Sequence, residues 1–289
     1  MSRLLVFSLV LLSVPALAQK TKPGPPYVVT IQTRDMTIEF GGDRAWTPQR
    51  ISHQNEIITE RTGFYGTVMS EEGKKWIGTG HNEGGIEIVE KVTLTVDGKP
   101  ADLADKATYK CSRAVVEKQS MLGPIKLAAT YVVTDDALLE RHRYEFTTEI
   151  TIGTLYAFMH PFLPRTTEWI AQMPDGKMKE GKFDNRGDFK LRDDPKWTAI
   201  FDPAAKRATL VWYPQPLQGM GIKTGYWDKT VYHKLYNQLY SHTPVPKGTK
   251  VEAQVVVRSV SADEPTWKEK AKALAEDTSA SFAKGLPGF

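Results

Sequence analysis

The chain has 289 residues, of which 40% are hydrophobic and 25% are charged, and its formal net charge is +4. Acidic and basic residues are interspersed without a long basic tract, so the charge pattern does not favour a nucleic-acid partner. The one cysteine, Cys111, cannot form an internal disulfide, and we expect the hydrophobic core to stabilise the fold.

Residues 1–18 have the pattern of a secretory signal peptide. Arg3 supplies the positive start, residues 4–12 are apolar apart from Ser8, and the small-x-small sequence 16–18 indicates a cleavage site. The apolar run is shorter than a membrane span requires, and no later run approaches that length. We therefore expect an exported protein, periplasmic or extracellular, without a membrane span.

A linker rich in proline and lysine is predicted at residues 19–26. Most of the chain after it alternates between apolar and polar residues, with turn residues between the segments, which is typical of antiparallel strands. The predicted strands are 27–33, 36–40, 51–59, 63–70, 86–96, 99–103, 109–119, 125–134, 138–152, 197–201, 208–213, 231–240 and 250–260. Long successive strands joined by tight turns predict an all-β fold, a large antiparallel sandwich over residues 27–260.

Two further segments have other patterns. Residues 172–197 are rich in glycine and charged residues and lack clear periodicity, so we expect a functional or mobile loop. Residues 261–289 should contain one C-terminal α-helix that packs on the sandwich, because an apolar stripe follows helical spacing there. Asp263 is its predicted N-cap, and Gly285 is its predicted end.

A run of large apolar and aromatic residues at 151–165 is long enough for a strand buried on both faces of a sheet. His160 lies near its end and is followed by Pro161, which cannot donate to a strand ladder. Pairing should therefore end at the proline or move to an edge, and His160 could then face a cleft. The alternative is a core histidine whose ring nitrogens are satisfied inside the protein.

A second histidine lies in a glycine-rich loop, G-T-G-H-N-E-G-G, at residues 78–85. The glycines allow tight turns and a close approach by a ligand. His81, Asn82 and Glu83 bring three types of polar side chain together on this loop. Such a loop just before a long strand suits a binding cleft. The alternative is a surface turn whose polar side chains are solvated.

The two histidine segments resemble motifs of the galactose mutarotase-like superfamily, which includes aldose 1-epimerases. The 78–85 loop is similar to its histidine and double-glycine loop, and M-H-P-F-L at 159–163 is similar to its second histidine motif. P-V-P-K-G-T-K-V at 244–251 resembles the turn before its last strand. The resemblance extends in outline over residues 40–260. It implies a supersandwich of long antiparallel strands, in agreement with the predicted strands.

The resemblance also implies acid–base chemistry on a sugar, in which a histidine donates a proton to the ring oxygen and a glutamate takes one from the anomeric hydroxyl. By position in the motifs, His160 would be the acid and His81 would orient the substrate. The glutamate is missing, because Asn237 and Gln238 stand where it is expected. An amide cannot act as a general base, so this departure argues against simple mutarotase activity.

Polysaccharide lyases have a similar sandwich, and they use a neutral Asn or Gln to hold a uronate carboxyl while His and Tyr exchange protons. This chain has those residue types, and Tyr236 becomes a catalytic candidate beside the two histidines. The predicted substrate-binding residues are Asn82, Glu83, Gln238, His233, Arg165 and Trp227. Arg165 would offset a uronate charge, as could Arg141 and Arg143, with ordinary surface pairing as the alternative. For His233 and Tyr236 the alternative is simple alternation between core and solvent.

No cofactor and no metal are predicted. His81, Glu83 and Glu87 could supply metal ligands, but the glycines around them leave their geometry open. The aspartates of the 172–197 segment lack a calcium-loop signature, so a solvated loop is the expected role. Motifs of serine hydrolases and of nucleotide-binding proteins are not found.

Two functional hypotheses follow. The first is a secreted carbohydrate-active protein with an open cleft, epimerase-like or lyase-like, that uses His and Tyr acid–base chemistry. Aromatic side chains would stack on the sugar rings. The candidate platforms are Trp76, Trp169, Trp212, Tyr213 and Trp227. The second is a non-catalytic carbohydrate-binding or envelope-interaction module, which the missing glutamate favours. Whether His81, His160 and Gln238 converge discriminates between them.

Overall fold

The computed structural model describes residues 24–59, 61–63, 65–81, 83–215, 217 and 223–285. The predicted signal peptide and the predicted linker up to residue 23 lie outside the described residues. The described chain forms twenty-one β-strands and one α-helix. Within this part of the chain, no helix has the length and apolar character needed to cross a membrane.

The strands are numbered in chain order. The first half of the chain contains β1 (Val28–Gln32), β2 (Met36–Gly41), β3 (Thr47–His53), β4 (Glu56–Thr59), β5 (Val68–Glu71), β6 (Ile77–Gly78), β7 (Ile88–Val96), β8 (Lys99–Ala101), β9 (Thr108–Lys110), β10 (Ala114–Leu122), β11 (Ile125–Val133) and β12 (Ala137–Phe146). The second half contains β13 (Ile150–Phe162), β14 (Glu168–Gln172), β15 (Met178–Lys182), β16 (Phe189–Asp193), β17 (Trp197–Asp202), β18 (Arg207–Trp212), β19 (Lys223–Lys229), β20 (Tyr232–Val245), β21 (Lys250–Ser261) and the helix α1 (Trp267–Ala283).

These strands form two sheets. The eleven-stranded sheet has the order β16-β19-β20-β13-β4-β3-β2-β1-β9, with β5 paired to β13 and β6 paired to β5. The ten-stranded sheet has the order β15-β14-β17-β18-β21-β12-β11-β10-β7-β8. Within the described chain, neighbouring strands are antiparallel apart from β1 and β9, which are parallel. The predicted all-β sandwich with one C-terminal helix is confirmed.

One large apolar cluster lies between the two sheets. It combines residues of the eleven-stranded sheet, such as Ile38 and Phe158, with residues of the ten-stranded sheet, such as Leu127 and Tyr144. Side chains alternate along each strand, so every second residue of both sheets enters this core. The alternation of apolar and polar residues in the sequence therefore gives each sheet one apolar face, and the two apolar faces pack together.

The helix α1 buries a second apolar cluster against the outer face of the ten-stranded sheet. The Trp267 ring stacks on Phe201 with 5.3 Å between centroids, and Phe282 lies 5.3 Å from Trp212. The N-cap is Thr266 rather than Asp263, so the helix begins later than predicted. The backbone N–H of Thr266 donates to the Asp263 carbonyl in a turn that precedes the helix.

Three predicted segments divide differently in the structure. Residues 51–59 belong to the β3–β4 hairpin, because Gln54 and Asn55 take left-handed φ angles of 50° and 66° that reverse the chain. Residues 109–119 are shared between β9 and β10, which lie in different sheets. Residues 172–197 contain β15 and β16, and each lies at the edge of a sheet. Edge strands with charged side chains lack clear alternation, so the sequence pattern does not predict them.

Strand β13 differs from the prediction at Pro161 and in the direction of its side chains. Pairing with β20 continues past Pro161 to the end of the strand. On its other side, the described residues that pair with β13 belong to β5 and to one position of β4, and none of them pairs with the proline. Register shifts around Tyr156 form a bulge that reverses the alternation. Tyr156 therefore faces outward, whereas Phe158 and His160 are buried between the sheets.

Candidate functional site

The outer face of the eleven-stranded sheet carries a row of side chains from β20. Alternation along this strand places Tyr232, Lys234, Tyr236 and Gln238 on the outer face, while residues between them, such as Leu235, enter the core. Strands β13 and β19 flank β20 on its two sides. Outward side chains of three adjacent strands therefore stand next to one another.

Aromatic side chains line a cavity of about 240 Å³ on this face, which we call the aromatic groove. Its lining residues are Val68, Trp76, His81, Tyr156, Phe189, Trp227 and Tyr236. The five aromatic residues among them are all partly exposed. Large apolar rings are normally buried, so a partly exposed cluster on a concave face indicates a binding surface.

The rings of the aromatic groove form one connected surface. Trp76 and Tyr156 are nearly parallel, with an interplanar angle of 9° and 6.1 Å between their centroids. The Tyr236 ring lies 4.7 Å from Tyr156, and the Phe189 ring lies 4.7 Å from Trp227. These contacts hold each ring in place, so the surface is formed before a ligand binds.

A narrower recess continues from the groove beside Tyr156, Phe189 and Tyr236. Its other lining residues are Arg192, Lys223, Gly225 and Gln238. Gly225 allows β16 to approach β19 closely, because a Cβ there would lie 2.6 Å from the Leu191 carbonyl oxygen and 3.1 Å from Phe189 Cδ1. The recess thus adds two cations and an amide to one end of the aromatic surface.

The glycine-rich loop brings His81 to the groove beside Trp76, with 5.8 Å between the two ring centroids. Gly78 takes a φ of 133°, and a Cβ at this position would lie 2.4 Å from the Thr67 carbonyl oxygen. A glycine is therefore required for the loop to pack against β5. Asn82, the neighbouring predicted binding residue, lies outside the described residues.

The imidazole of His81 is accessible and sits between opposite charges. Its side chain is 39% exposed, and Nδ1 lies 3.7 Å from Oε1 of Glu83. Burial and the positive charge of Lys234 lower the pKa of His81, while Glu83 raises it. The net lowering favours a neutral imidazole, which can both accept and donate a hydrogen bond.

Lys234 lies on the groove face of β20 and was not among the predicted site residues. It is 2% exposed, and its Nζ lies 5.0 Å from the ring centroid of Tyr236 and 5.8 Å from that of Tyr232. No carboxylate among the described residues forms an ion pair with it. Desolvation lowers the pKa of Lys234 to about 7. Its period-two spacing with Tyr232, Tyr236 and Gln238 is the sequence signal that could have identified it.

His160 lies outside the groove, between the two sheets. Its side chain is 0% exposed, and Nε2 is 2.9 Å from Oε1 of Glu140 on the ten-stranded sheet. The Tyr65 hydroxyl donates a hydrogen bond to the same carboxylate oxygen. This corrects the expectation that His160 faces a cleft, because the bulge in β13 turns it inward. The structure agrees with the core alternative in burial but not in full hydrogen bonding, because Nδ1 has no partner among the described residues. It does not provide the ligand access that a catalytic acid needs.

The structure brings part of the predicted site together. His81, Tyr236 and Trp227 line the aromatic groove, and Gln238 lines its recess. Glu83 is exposed beside His81. These residues come from the glycine-rich loop, β19 and β20, which are far apart in the sequence. The convergence of His81 with Gln238 on one face is therefore present, but it does not include His160.

Two predicted binding residues lie elsewhere. His233 faces inward on β20, where Nδ1 is 2.7 Å from Thr166 Oγ1 and Nε2 is 3.1 Å from Asp228 Oδ1. Burial lowers the pKa of His233, against the opposing effect of Asp228. Arg165 lines a separate depression, and its Nε is 2.6 Å from Asp202 Oδ2. Both placements correct the predicted site. His233 alternates into the core, and Arg165 forms an ordinary surface ion pair, as the two alternatives expected.

The candidate aromatic platforms also divide into two groups. Trp76 and Trp227 line the groove and are partly exposed. The other three are buried in the apolar clusters of the sandwich, and they are Trp169, Trp212 and Tyr213. The sequence alone could not separate these groups, because an isolated aromatic residue is consistent with either environment. The structure adds Tyr156 and Phe189, which were not predicted.

Three carboxylates in the described chain come close enough to hold a cation. Asp184, Asp188 and Asp228 offer oxygen atoms within 4.8 Å of one another. The Lys190 ammonium lies among them, with Nζ 2.7 Å from Asp184 Oδ1 and 2.8 Å from Asp188 Oδ1. This lysine offsets the negative charge that would attract a metal ion, and we assign no metal to the cluster.

Besides the depression at Arg165, of about 370 Å³, two others are larger than the groove but differ in chemistry. One of about 520 Å³ lies on the ten-stranded sheet, where Arg143 and Glu252 pair at 2.5 Å. The other, of about 400 Å³, contains Glu87, whose carboxylate lies 2.7 Å from the Lys118 ammonium. In each of them a lining carboxylate is paired with a basic side chain. The aromatic groove has five accessible rings, and Lys234, which lies against one of them, has no ion-pair partner among the described residues. We therefore consider it the candidate site.

Comparison of the sequence with protein-family models and with curated proteins gives no match. Among solved structures, the Slr1438 protein from Synechocystis sp. PCC 6803 is similar, with 10% identity and a TM-score of 0.50 over 83% of this chain and 98% of that chain. A galactose mutarotase-like protein from Lactobacillus casei ATCC 334 gives 10% identity and a TM-score of 0.48, over 81% and 100% of the two chains. A galactose mutarotase related enzyme from Lactobacillus acidophilus gives 9% identity and a TM-score of 0.44, over 82% and 98%.

These comparisons concern the fold. The predicted resemblance is found at the level of overall fold, since solved structures that include galactose mutarotase-like proteins align with more than four fifths of this chain. One fold supports many different activities, so a likeness at this identity does not assign a reaction. The functional argument therefore depends on the chemistry of the groove in this chain.

Proposed function

We propose that this protein binds carbohydrate in the aromatic groove. The observation that carries the proposal is the connected surface of five partly exposed rings on one face of the sheet. A pyranose ring presents apolar faces that stack on aromatic side chains, and its hydroxyls form hydrogen bonds with polar groups around them. His81 and Gln238 supply such groups beside the rings.

The size of the groove supports a small sugar unit as the bound group. Its volume of about 240 Å³ lies below the range of about 300–1,000 Å³ that is typical of pockets enclosing whole drug-sized ligands. We infer that one unit occupies the groove while the rest of a longer glycan extends outside. Export to the periplasm or the cell exterior, proposed from residues 1–18, would give access to such glycans.

A second candidate function is sugar conversion by acid–base chemistry. Its support is the Lys234 amine, whose pKa burial lowers to about 7, near the His81 imidazole, whose pKa is also lowered. Tyr236 stands between them as a further polar group on β20. The lining residues of the groove and recess include no carboxylate among the described residues, and a glutamate-dependent epimerase needs one. Binding is therefore our first proposal.

The test of binding is titration calorimetry with neutral and acidic sugars on the full exported chain. Trp227→Ala should weaken binding by about 2- to 10-fold, which corresponds to the loss of one aromatic stacking contact. Tyr27→Ala is the matched control, because Tyr27 is 42% exposed and outside the groove. Equal effects of the two substitutions, or no binding of any sugar, would contradict the proposal. NMR of anomeric exchange in the same samples tests conversion.

A further inference from the structure

A buried lysine, Lys234, lies against the Tyr236 ring of the aromatic groove, although it is not itself one of the lining residues. Lys234 is 2% exposed, and the described residues give its ammonium neither a carboxylate nor a hydrogen-bond acceptor. Its nearest identified contacts are ring faces, those of Tyr236 at 5.0 Å and Tyr232 at 5.8 Å. A cation–π contact offsets only part of the cost of removing an ammonium from water. A buried lysine in this state is poised to accept a negative charge from a ligand.

The position of Lys234 relates this charge to the groove. Trp227 of β19 is its register partner on one side, and Pro161 of β13 is its partner on the other. Trp227 and Tyr236 both line the groove. The positive charge of Lys234 also lowers the pKa of His81 in that lining, which shows that the two groups interact electrostatically. The ammonium therefore lies behind the Tyr236 ring, one side chain away from the sugar of the proposed function.

The two charged residues that line the recess are positive, like Lys234. Arg192 and Lys223 line the recess, and neither forms an ion pair with a described residue. The Arg192 guanidinium lies 5.0 Å from the Phe189 ring centroid, at the side of the groove. Glu83 is the nearby exception, and it is oriented toward His81, with 3.7 Å between Oε1 and Nδ1. Three cations with unfilled pairing capacity thus border one aromatic surface.

We propose that the groove selects a pyranose that carries an anionic group, and that this group pairs with the Lys234 ammonium. The inference rests on the proposed carbohydrate binding and names its ligand class. A uronate carboxylate and a sugar phosphate share the required chemistry, since both are anions attached to a ring that can stack. The rings hold the sugar, and the cation distinguishes an acidic sugar from a neutral one.

This pairing makes binding depend on pH in a defined direction. Burial lowers the pKa of the free Lys234 amine to about 7, and a bound anion would raise it again. Binding of an acidic sugar should therefore take up a proton above pH of about 7, and its affinity should fall by up to about 10-fold per pH unit there. The other titratable groups facing the amine are His81, Tyr232 and Tyr236, so His81→Gln separates the contribution of the imidazole.

The experiment compares matched sugars by calorimetry at pH 6, 7.5 and 9 in buffers with different ionisation enthalpies. The probes are hexuronic acids of gluco, galacto and manno configuration, the corresponding hexose 6-phosphates, and the neutral methyl hexosides. Wild-type protein should prefer one acidic class by about 10-fold or more, and Lys234→Met should remove that preference. Lys247→Met, at an exposed turn, is the control and should change nothing.

Each outcome decides between the two proposals. Equal binding of acidic and neutral sugars, or an acidic preference that persists in Lys234→Met, would overturn the inference and leave carbohydrate binding intact. Absence of binding by all three classes would overturn both. Circular dichroism of Lys234→Met establishes that the variant is folded. Lys234→Arg is a second variant, and because it keeps the positive charge it should keep the preference for acidic sugars.

Discussion

His160 Nε2 and Glu140 Oε1 lie 2.9 Å apart across the space between the two sheets, and both side chains are fully buried. The Tyr65 hydroxyl donates to the same carboxylate oxygen, and the Tyr65 ring meets the His160 ring edge-on at 4.9 Å. A polar contact of this kind connects β12 of one sheet with β13 of the other. It fixes the sandwich from within, which is a structural role for a histidine that the motif resemblance suggested as catalytic.

We expect His160→Gln to lower the free energy of unfolding by about 1–3 kcal/mol, the usual effect of disturbing a buried hydrogen-bonded group. Sugar binding per folded molecule should stay unchanged, since His160 does not line the groove. Urea unfolding and calorimetry on the same preparation measure the two quantities. A stable variant that has lost binding would restore the catalytic interpretation.

A second prediction concerns the close contact at Gly225. Gly225→Ala should weaken both stability and sugar binding, because the added Cβ would lie 2.6 Å from the Leu191 carbonyl oxygen and displace the strand that carries Phe189. Gly153→Ala is a milder comparison, since its nearest contact is the movable Ser70 hydroxyl at 3.1 Å. Thermal melts and fluorescence titrations of both variants test this expectation, and equal behaviour would count against it.

Lys234 should make stability depend on alkaline pH. Its pKa is lowered from 10.5 to about 7 in the folded protein, so between these values the unfolded chain holds the extra proton. The free energy of unfolding should therefore rise with pH through this window, by up to about 1.4 kcal/mol per pH unit from this group. Lys234→Met should remove that rise and be more stable than wild type near pH 7. Urea unfolding at pH 7, 8 and 9 measures it, and parallel curves would contradict the prediction.

His142 should contribute to acid sensitivity. Full burial lowers its pKa from 6.5 to about 3, so the folded state keeps it neutral while the unfolded chain takes up a proton. Stability from this group is complete above pH of about 6.5 and is lost as the pH falls toward 3, by up to about 1.4 kcal/mol per unit. His142→Phe, which keeps a ring beside Phe158, should show a shallower decline in urea midpoint. A decline as steep as that of wild type would assign the effect to other groups, such as His53, whose pKa is lowered to about 4.

The sequence by itself determined the fold class and most of the strands. In β11 and β21, apolar and polar residues alternate along the chain, and the predicted bounds 125–134 and 250–260 are close to those observed. Apolar–polar alternation indicates that one face of a strand is buried, and this pattern is visible within the strand's own sequence. The glycine-rich loop at His81 was also evident, because a need for positive φ and close packing appears directly as glycine in the sequence.

Only the tertiary structure decided which side chains form the site. Register shifts in β13 turn His160 inward and Tyr156 outward, and they occur in its pairing with β5 and β20, which are distant in sequence. The edge strand β16 brings Phe189 to the groove through its pairing with β19. The spacing of Lys234 with Tyr232 and Tyr236 could place it on their face of β20, but only the packing around it shows that it is buried. Burial and side-chain direction depend on contacts between separate strands, and such contacts leave no local pattern in the sequence.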